Sequence, residues 1–378
     1  MPDDLFDTLG ETLRLHGAEA GFDLLIAKLR EEKKYPLVFE ARIMKSRHAL
    51  GLPLIHNGQQ FEDLPDDKRA AHERAFMEAA REVGGLFLAD GDIPRAWSYF
   101  RAIGETASIA AAIEQLQPRE NQEAVIEIAL QERVHPRKGF ELILANYGIC
   151  RAITFFEQYP DRKTREDCLR LLVRTLHHDL VESLKRAIAR NETQAPDTKS
   201  VPDLIGGRAW LFGEYDYYVD TSHVVSILRF ALDATDRETL ALAVELADYG
   251  AHLSTMFGFR GDPPFEDGFT DYAVYLRALI GEHVDEAVAH FRAKIASCNP
   301  ESAGPAPAQT LVSLLARLGR YQDAIAVSLD HLRDVDPNQL FCPSVFELCQ
   351  AAGDYDRLRS LARERGDLLH FAAAALEA

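Results

Sequence analysis

Apolar residues recur at threes and fours along most of the chain, with charged residues between them. Leu169, Leu172, Val173, Leu176, Leu180, Leu184 and Ile188 form one such stripe; Phe76, Ala79, Ala80, Val83, Phe87 and Leu88 form another. Side chains at this spacing share one face of a helix, so the pattern predicts amphipathic helices. Strand-like alternation is scarce, and its best stretch, Trp210 to Val219, is short and set among glycines. Glycine or proline breaks the pattern at roughly 15 to 25 residue intervals, as helix–turn–helix hairpins require. The expected fold class is all-α.

Some of these hairpins repeat. LLARLGRYQDAIAV surrounds Gly319 and LCQAAGDYDRLRSL surrounds Gly353, and the two glycines are 34 residues apart. Residues 83–100 read VGGLFLADGDIPRAWSYF, with Gly84, Phe87, Gly91, Ala96 and Phe100 as small, aromatic, turn, small and aromatic positions. A looser copy, YLRALIGEHVDEAVAHF, has one extra residue after Gly281. A turn glycine lets two antiparallel helices follow each other, the small residue lets them approach, and the aromatics fill the seam to the next pair.

These segments resemble the tetratricopeptide-repeat superfamily, over about residues 70–103 and 273–366. The resemblance implies an α-solenoid of stacked antiparallel hairpins, irregular in the middle, whose concave face holds a protein or peptide. The sequence departs from the pattern at Ser328, His331, Pro337 and Leu358. Three regions follow: residues 1–195, irregular hairpins with a repeat-like unit near 70–103; residues 196–272, helices carrying two long aromatic and acidic insertions; and residues 273–378, the regular repeats.

The breaks in helical pattern are where function is expected, because solenoid turns are normally short. They fall at 51–66, 191–222 and 257–268, with a plainer linker at 299–308. The second holds Trp210, Tyr215, Tyr217, Tyr218, Asp220 and His223; the third and its flanks hold Arg260, Asp267 and Asp271; His252 lies between them. If the insertions at 196–222 and 257–271 fold onto one face, they make an aromatic-walled, carboxylate-rich pocket. Trp210, Tyr215, Tyr217, Tyr218 and Arg260 are its candidate binding residues. Tyr217, Asp220, His223, His252, Asp267 and Asp271 are its candidate catalytic residues, since a carboxylate–histidine pair can move protons and can hold a divalent metal. The competing structural reading makes Asp220-Thr221-Ser222 a helix N-cap before the apolar run at Val224. Arg42, on a helix with Glu40, Lys45, Arg47 and His48, is a further candidate for gripping a carboxylate.

No HExxH, GxSxG or phosphate-binding loop occurs. The acidic run from Asp262 to Asp271 lacks the spacing of a calcium loop. His177 and His178 point about 100° apart on a helix, a poor geometry for one ion. No metal or cofactor is therefore expected. The formal charge of −18, from 60 acidic and 42 basic residues, opposes binding to nucleic acid or to anionic membranes. It favours a basic partner. Five unpaired-looking cysteines, an acidic start and the lack of a long apolar run lead to an expected cytoplasmic location. The expected function is an interaction scaffold; the alternative is an enzyme, metal-dependent or not, working in the pocket of the two insertions.

Overall fold

The computed structural model describes residues 2–54, 66–159, 161–192, 194–298 and 303–377. Most of the break at 51–66 and the first part of the 299–308 linker lie outside the described residues. Among the described residues the regular structure is entirely helical. The chain divides into two compact units, Met1–Gly148 and Ile149–Ala378.

In the first unit, α1 (Pro2–Glu31), α2 (Tyr35–Ala49), α3 (Asp66–Ala89), α4 (Ile93–Ala102), α5 (Ala107–Glu114) and α6 (Glu123–Leu130) each pack on the helix before them or the one before that. The helix α7 (Pro136–Glu157) leaves helical geometry at Gly148, where the unit ends. Val38, Val83, Phe87, Ala96, Phe100 and Ile109 build a continuous core. Gly84 of α3 lies against Phe100 of α4. A Cβ added at Gly84 would lie 2.6 Å from the Phe100 ring, so only glycine admits the ring there.

In the second unit the helices are α8 (Arg165–Glu192), α9 (Val201–Ile205), α10 (Thr221–Ala231), α11 (Arg237–His252), α12 (Phe269–Leu279), α13 (Val284–Ser297), α14 (Ala306–Arg317), α15 (Tyr321–His331), α16 (Val345–Ala351), α17 (Tyr355–Glu364) and α18 (Leu368–Glu377). The α10 helix packs on α8, from α11 onward each helix packs on its predecessor, and α12 also touches α10 and α14. The α8 stripe from Leu169 to Ile188 is fully buried, on a helix whose other faces carry the intervening charges. Arginines join elements through main-chain carbonyls. Arg165 donates to Phe156 O at 2.8 Å, Arg237 to Ile280 O at 2.7 Å, and Arg317 to both Leu232 O and Ala234 O.

The hairpin turns share one hydrogen-bond pattern. At Gly319 (φ +71°) the glycine N–H donates to Ala316 O at 3.0 Å and the next N–H reaches back to Leu315 O at 2.8 Å. Gly353, Gly91 and Gly281 repeat the same pair of bonds. This satisfies the last carbonyls of the first helix and requires a left-handed residue. No atom lies within 4 Å of a Cβ built at Gly319, so the cost of a side chain there is backbone strain alone. Gly319→Val is expected to lose about 1–2 kcal/mol, read as a lower urea midpoint with an unchanged m-value.

Candidate functional site

The segment Trp210 to Val219 is not a strand. It opens with a single 3-10 turn, Ala209–Leu211, and continues as irregular chain. Its hydrogen bonds go to side chains and turns instead of a neighbouring strand. The Tyr218 N–H donates to the Tyr249 hydroxyl at 2.8 Å, and the Tyr218 hydroxyl donates to Leu211 O at 2.9 Å. The Gly213 N–H donates to Asp216 Oδ2 at 3.1 Å. Leu211 and Tyr249 are fully buried and anchor the segment on α11. Burial pushes the Tyr249 hydroxyl up to about 12, and it raises the Tyr218 hydroxyl as well.

With that frame fixed, alternate aromatics turn outward. Trp210, Tyr215 and Tyr217 are exposed, as is Met256 from the chain after α11. The two stretches are stitched together: Ser254 Oγ donates to Glu214 O at 2.7 Å, and the Tyr217 and Phe257 rings lie 5.1 Å apart. Glu214 and Asp216 are exposed within the same segment, and Asp220 follows it. The result is an exposed stretch, Glu214 to Tyr217, along which carboxylate and aromatic side chains alternate to make an aromatic and acidic patch.

The candidate acid–base residues enter separate networks. Asp220 caps α10, its Oδ1 accepting from the Ser222 N–H at 2.8 Å and from Ser222 Oγ at 2.6 Å. Those bonds hold its carboxyl below the usual range. His223 sits half-buried in the first turn of that helix. His252 uses Nδ1 on Asp248 O at 2.8 Å and packs on Phe212 with ring centroids 5.2 Å apart. Because a carbonyl only accepts, Nδ1 carries the proton.

Asp271 belongs to a third network. Its carboxylate is completely buried. Oδ1 meets His290 Nε2 at 2.6 Å, and Oδ2 accepts from Lys294 Nζ at 2.9 Å and from the Asp267 N–H at 2.7 Å. Asp267 itself takes Lys294 Nζ at 2.6 Å, and this bond holds its carboxyl low. Burial works against the Lys294 charge, but the bonds to Asp267 and Asp271 outweigh it and raise the ammonium. Arg260 is exposed, and its charge adds slightly to the lowering of Asp267. The aromatics of the third break point inward: Phe265 stacks on Tyr272 at 4.4 Å and Phe259 meets Phe269 at 4.8 Å.

Arg42 is engaged as well. Its Nε and Nη2 reach Glu82 at 2.7 and 3.1 Å, and Arg30 shares the same carboxylate. Burial alone would raise Glu82; the two guanidiniums outweigh it and hold it low. His177 is buried on Glu245 at 2.7 Å while His178 is exposed, so the adjacent pair diverges.

A cleft of about 550 Å³ lies beside the patch, lined by Ile205, Gly206, Phe212, Asp248, His252 and Arg277 among others. Burial raises the Asp248 carboxyl even though Arg277 Nη2 lies 2.5 and 2.6 Å from its two oxygens. Asp248, Arg277 and Lys294 were not singled out from the sequence. The signal for the first and third was a four-residue spacing, Asp248 to His252 and His290 to Lys294. Among the described residues no group of three or more His, Cys, Asp or Glu side chains is arranged to hold a metal ion, and no helix is long and apolar enough to cross a membrane.

No family model, curated protein or solved structure matches this chain.

Proposed function

We propose that the protein is a cytoplasmic interaction scaffold whose tetratricopeptide-like hairpins form a solenoid, and that its exposed aromatic patch receives a basic segment of a partner protein. The observation that carries this reading is the exposure of Tyr215 and Tyr217 between the exposed carboxylates Glu214 and Asp216, on a segment that Tyr249 and Leu211 anchor in the core. Exposed large apolar side chains gathered on a fixed frame are the usual mark of a binding surface. Aromatic faces attract Lys and Arg, and the neighbouring Glu214, Asp216 and Asp220 give that attraction long-range support. The turn glycines and helix-on-helix order from α12 to α18 support the repeat reading.

Binding is favoured over catalysis because Asp220, His252 and Asp271 serve three different networks. A general acid and base would need to converge on one substrate. The test is an array of short peptides graded from acidic to basic. Basic peptides should bind, and the double variant Tyr215→Ser, Tyr217→Ser should weaken them by about tenfold or more with thermal stability unchanged. Binding that ignores charge, or that survives the double variant, would sink the proposal.

A further inference from the structure

A second cleft of the second unit, of about 440 Å³, opens where the end of α10, the helices α12 and α14 and the chain before α16 meet. It shares no residue with the aromatic patch or the cleft beside it, so a ligand held here is independent of the partner proposed above. The lining is buried and fixed. Phe265, Tyr275 and Thr310 are 8%, 3% and 8% exposed, and the two rings lie 6.0 Å apart. Phe341 stands exposed at the mouth, on a segment that Gln309 holds: the buried amide donates to Gln339 O at 3.3 Å and accepts from the Phe341 N–H at 2.7 Å. Thr310 and Arg317 are two turns apart on one face of α14. Among the described residues the Thr310 hydroxyl has no hydrogen-bond partner, although the side chain is nine-tenths buried. Buried hydroxyls are normally satisfied, so this one is open to a group inside the cleft.

Two opposite charges line the same cleft, and neither is neutralised. Arg317 donates to Leu232 O and Ala234 O, the carbonyls on either side of Asp233. Those bonds use only part of the guanidinium's donors and leave its charge in place. Asp233 stands beside these anchor points, yet among the described residues it forms no ion pair with Arg317 or with any other cation. The Tyr275 hydroxyl, raised chiefly by burial, feels both charges: Arg317 lowers it and Asp233 raises it. The cleft beside the aromatic patch differs, because its Arg277 is closed on Asp248. A guanidinium and a carboxylate kept apart over an apolar floor complement a small molecule with one carboxylate, one amine and an apolar body. Asp233 opposes a polyanion, and Arg317 opposes a basic peptide.

We propose that this cleft binds a free α-amino acid with an apolar side chain, its carboxylate on Arg317 and Thr310, its ammonium towards Asp233 and its side chain between Phe265 and Phe341. Isothermal titration calorimetry of the full chain with L-phenylalanine and L-leucine should show saturable binding. L-Phenylalaninamide keeps the ammonium and loses the carboxylate, so it should bind about tenfold or more weaker. N-Acetyl-L-phenylalanine keeps the carboxylate and loses the ammonium, and should bind about threefold or more weaker. Asp233 is exposed and unpaired, so Asp233→Asn should melt with the wild type. That variant should bind L-phenylalanine about threefold or more weaker and leave the acetylated compound unchanged, a selectivity that a purely structural role for Asp233 would not produce. No binding of either amino acid at millimolar concentration would overturn the proposal. So would equal affinity for the amide, or an Asp233→Asn variant that binds L-phenylalanine as the wild type does.

Discussion

Replacing Asp271 by alanine is expected to destabilise the second unit by about 3–5 kcal/mol, the usual cost of breaking a buried charge pair from one side. The carboxylate has no exposed surface and meets the Lys294 ammonium, the His290 ring and one main-chain N–H. Lys294 keeps Asp267 at 2.6 Å and Glu266 at 3.4 Å, which places the loss towards the lower end of that range. Asp271→Asn tests the charge with the shape retained. Its amide is neutral and has one acceptor oxygen where the native group has two, so the Lys294 ammonium loses its buried counter-charge, and a loss of about 1–3 kcal/mol is expected. Urea unfolding of the three proteins decides the matter. A variant as stable as the wild type would mean that the buried network contributes nothing to the fold and that Asp271 is free for another task.

The second large effect is expected at Tyr249. Tyr249→Ala removes a fully buried ring that meets Phe212 and Tyr218, at a cost of about 3–5 kcal/mol. Tyr249→Phe is the more informative change. It keeps the ring and removes only the oxygen that accepts from the Tyr218 N–H, for about 1–3 kcal/mol. Hydrogen exchange should then quicken at the Tyr218 amide while the α8 core amides stay protected relative to global unfolding. Binding of basic peptides should weaken too, although Tyr249 has no exposed atom to offer them. Unchanged exchange at Tyr218 would show that the 213–219 segment is held by other means.

The helices and their turns were legible in the sequence for a physical reason. The α8 stripe and the turn glycines are local: burial of one face and a left-handed φ each demand particular residues at fixed spacing. The site was only partly legible. Tyr215, Tyr217 and Tyr218 look alike along the chain, yet two face out and one folds back on Leu211 and Tyr249. What separates them is a partner 31 residues away. Asp271 finds His290 and Lys294 across a helix pair, and Asp248 finds Arg277 in the same way. Such couplings depend on how two helices are rotated against each other, and periodicity leaves that rotation open. Asp220 was read both as a catalytic candidate and as a cap; its bonds to Ser222 account for it locally.

Arg165, Arg237 and Arg317 terminate on carbonyl oxygens. A carbonyl carries only the partial charge of a dipole, so each bond leaves most of a full positive charge in place at a junction between elements. In a chain with eighteen more acidic than basic residues, these three side chains act as built-in counterions. Among the described residues none of the three pairs with a carboxylate, so their charge offsets the repulsion of the acidic side chains generally. The second unit therefore carries, inside its own joints, part of the cationic atmosphere that an acidic protein otherwise draws from salt.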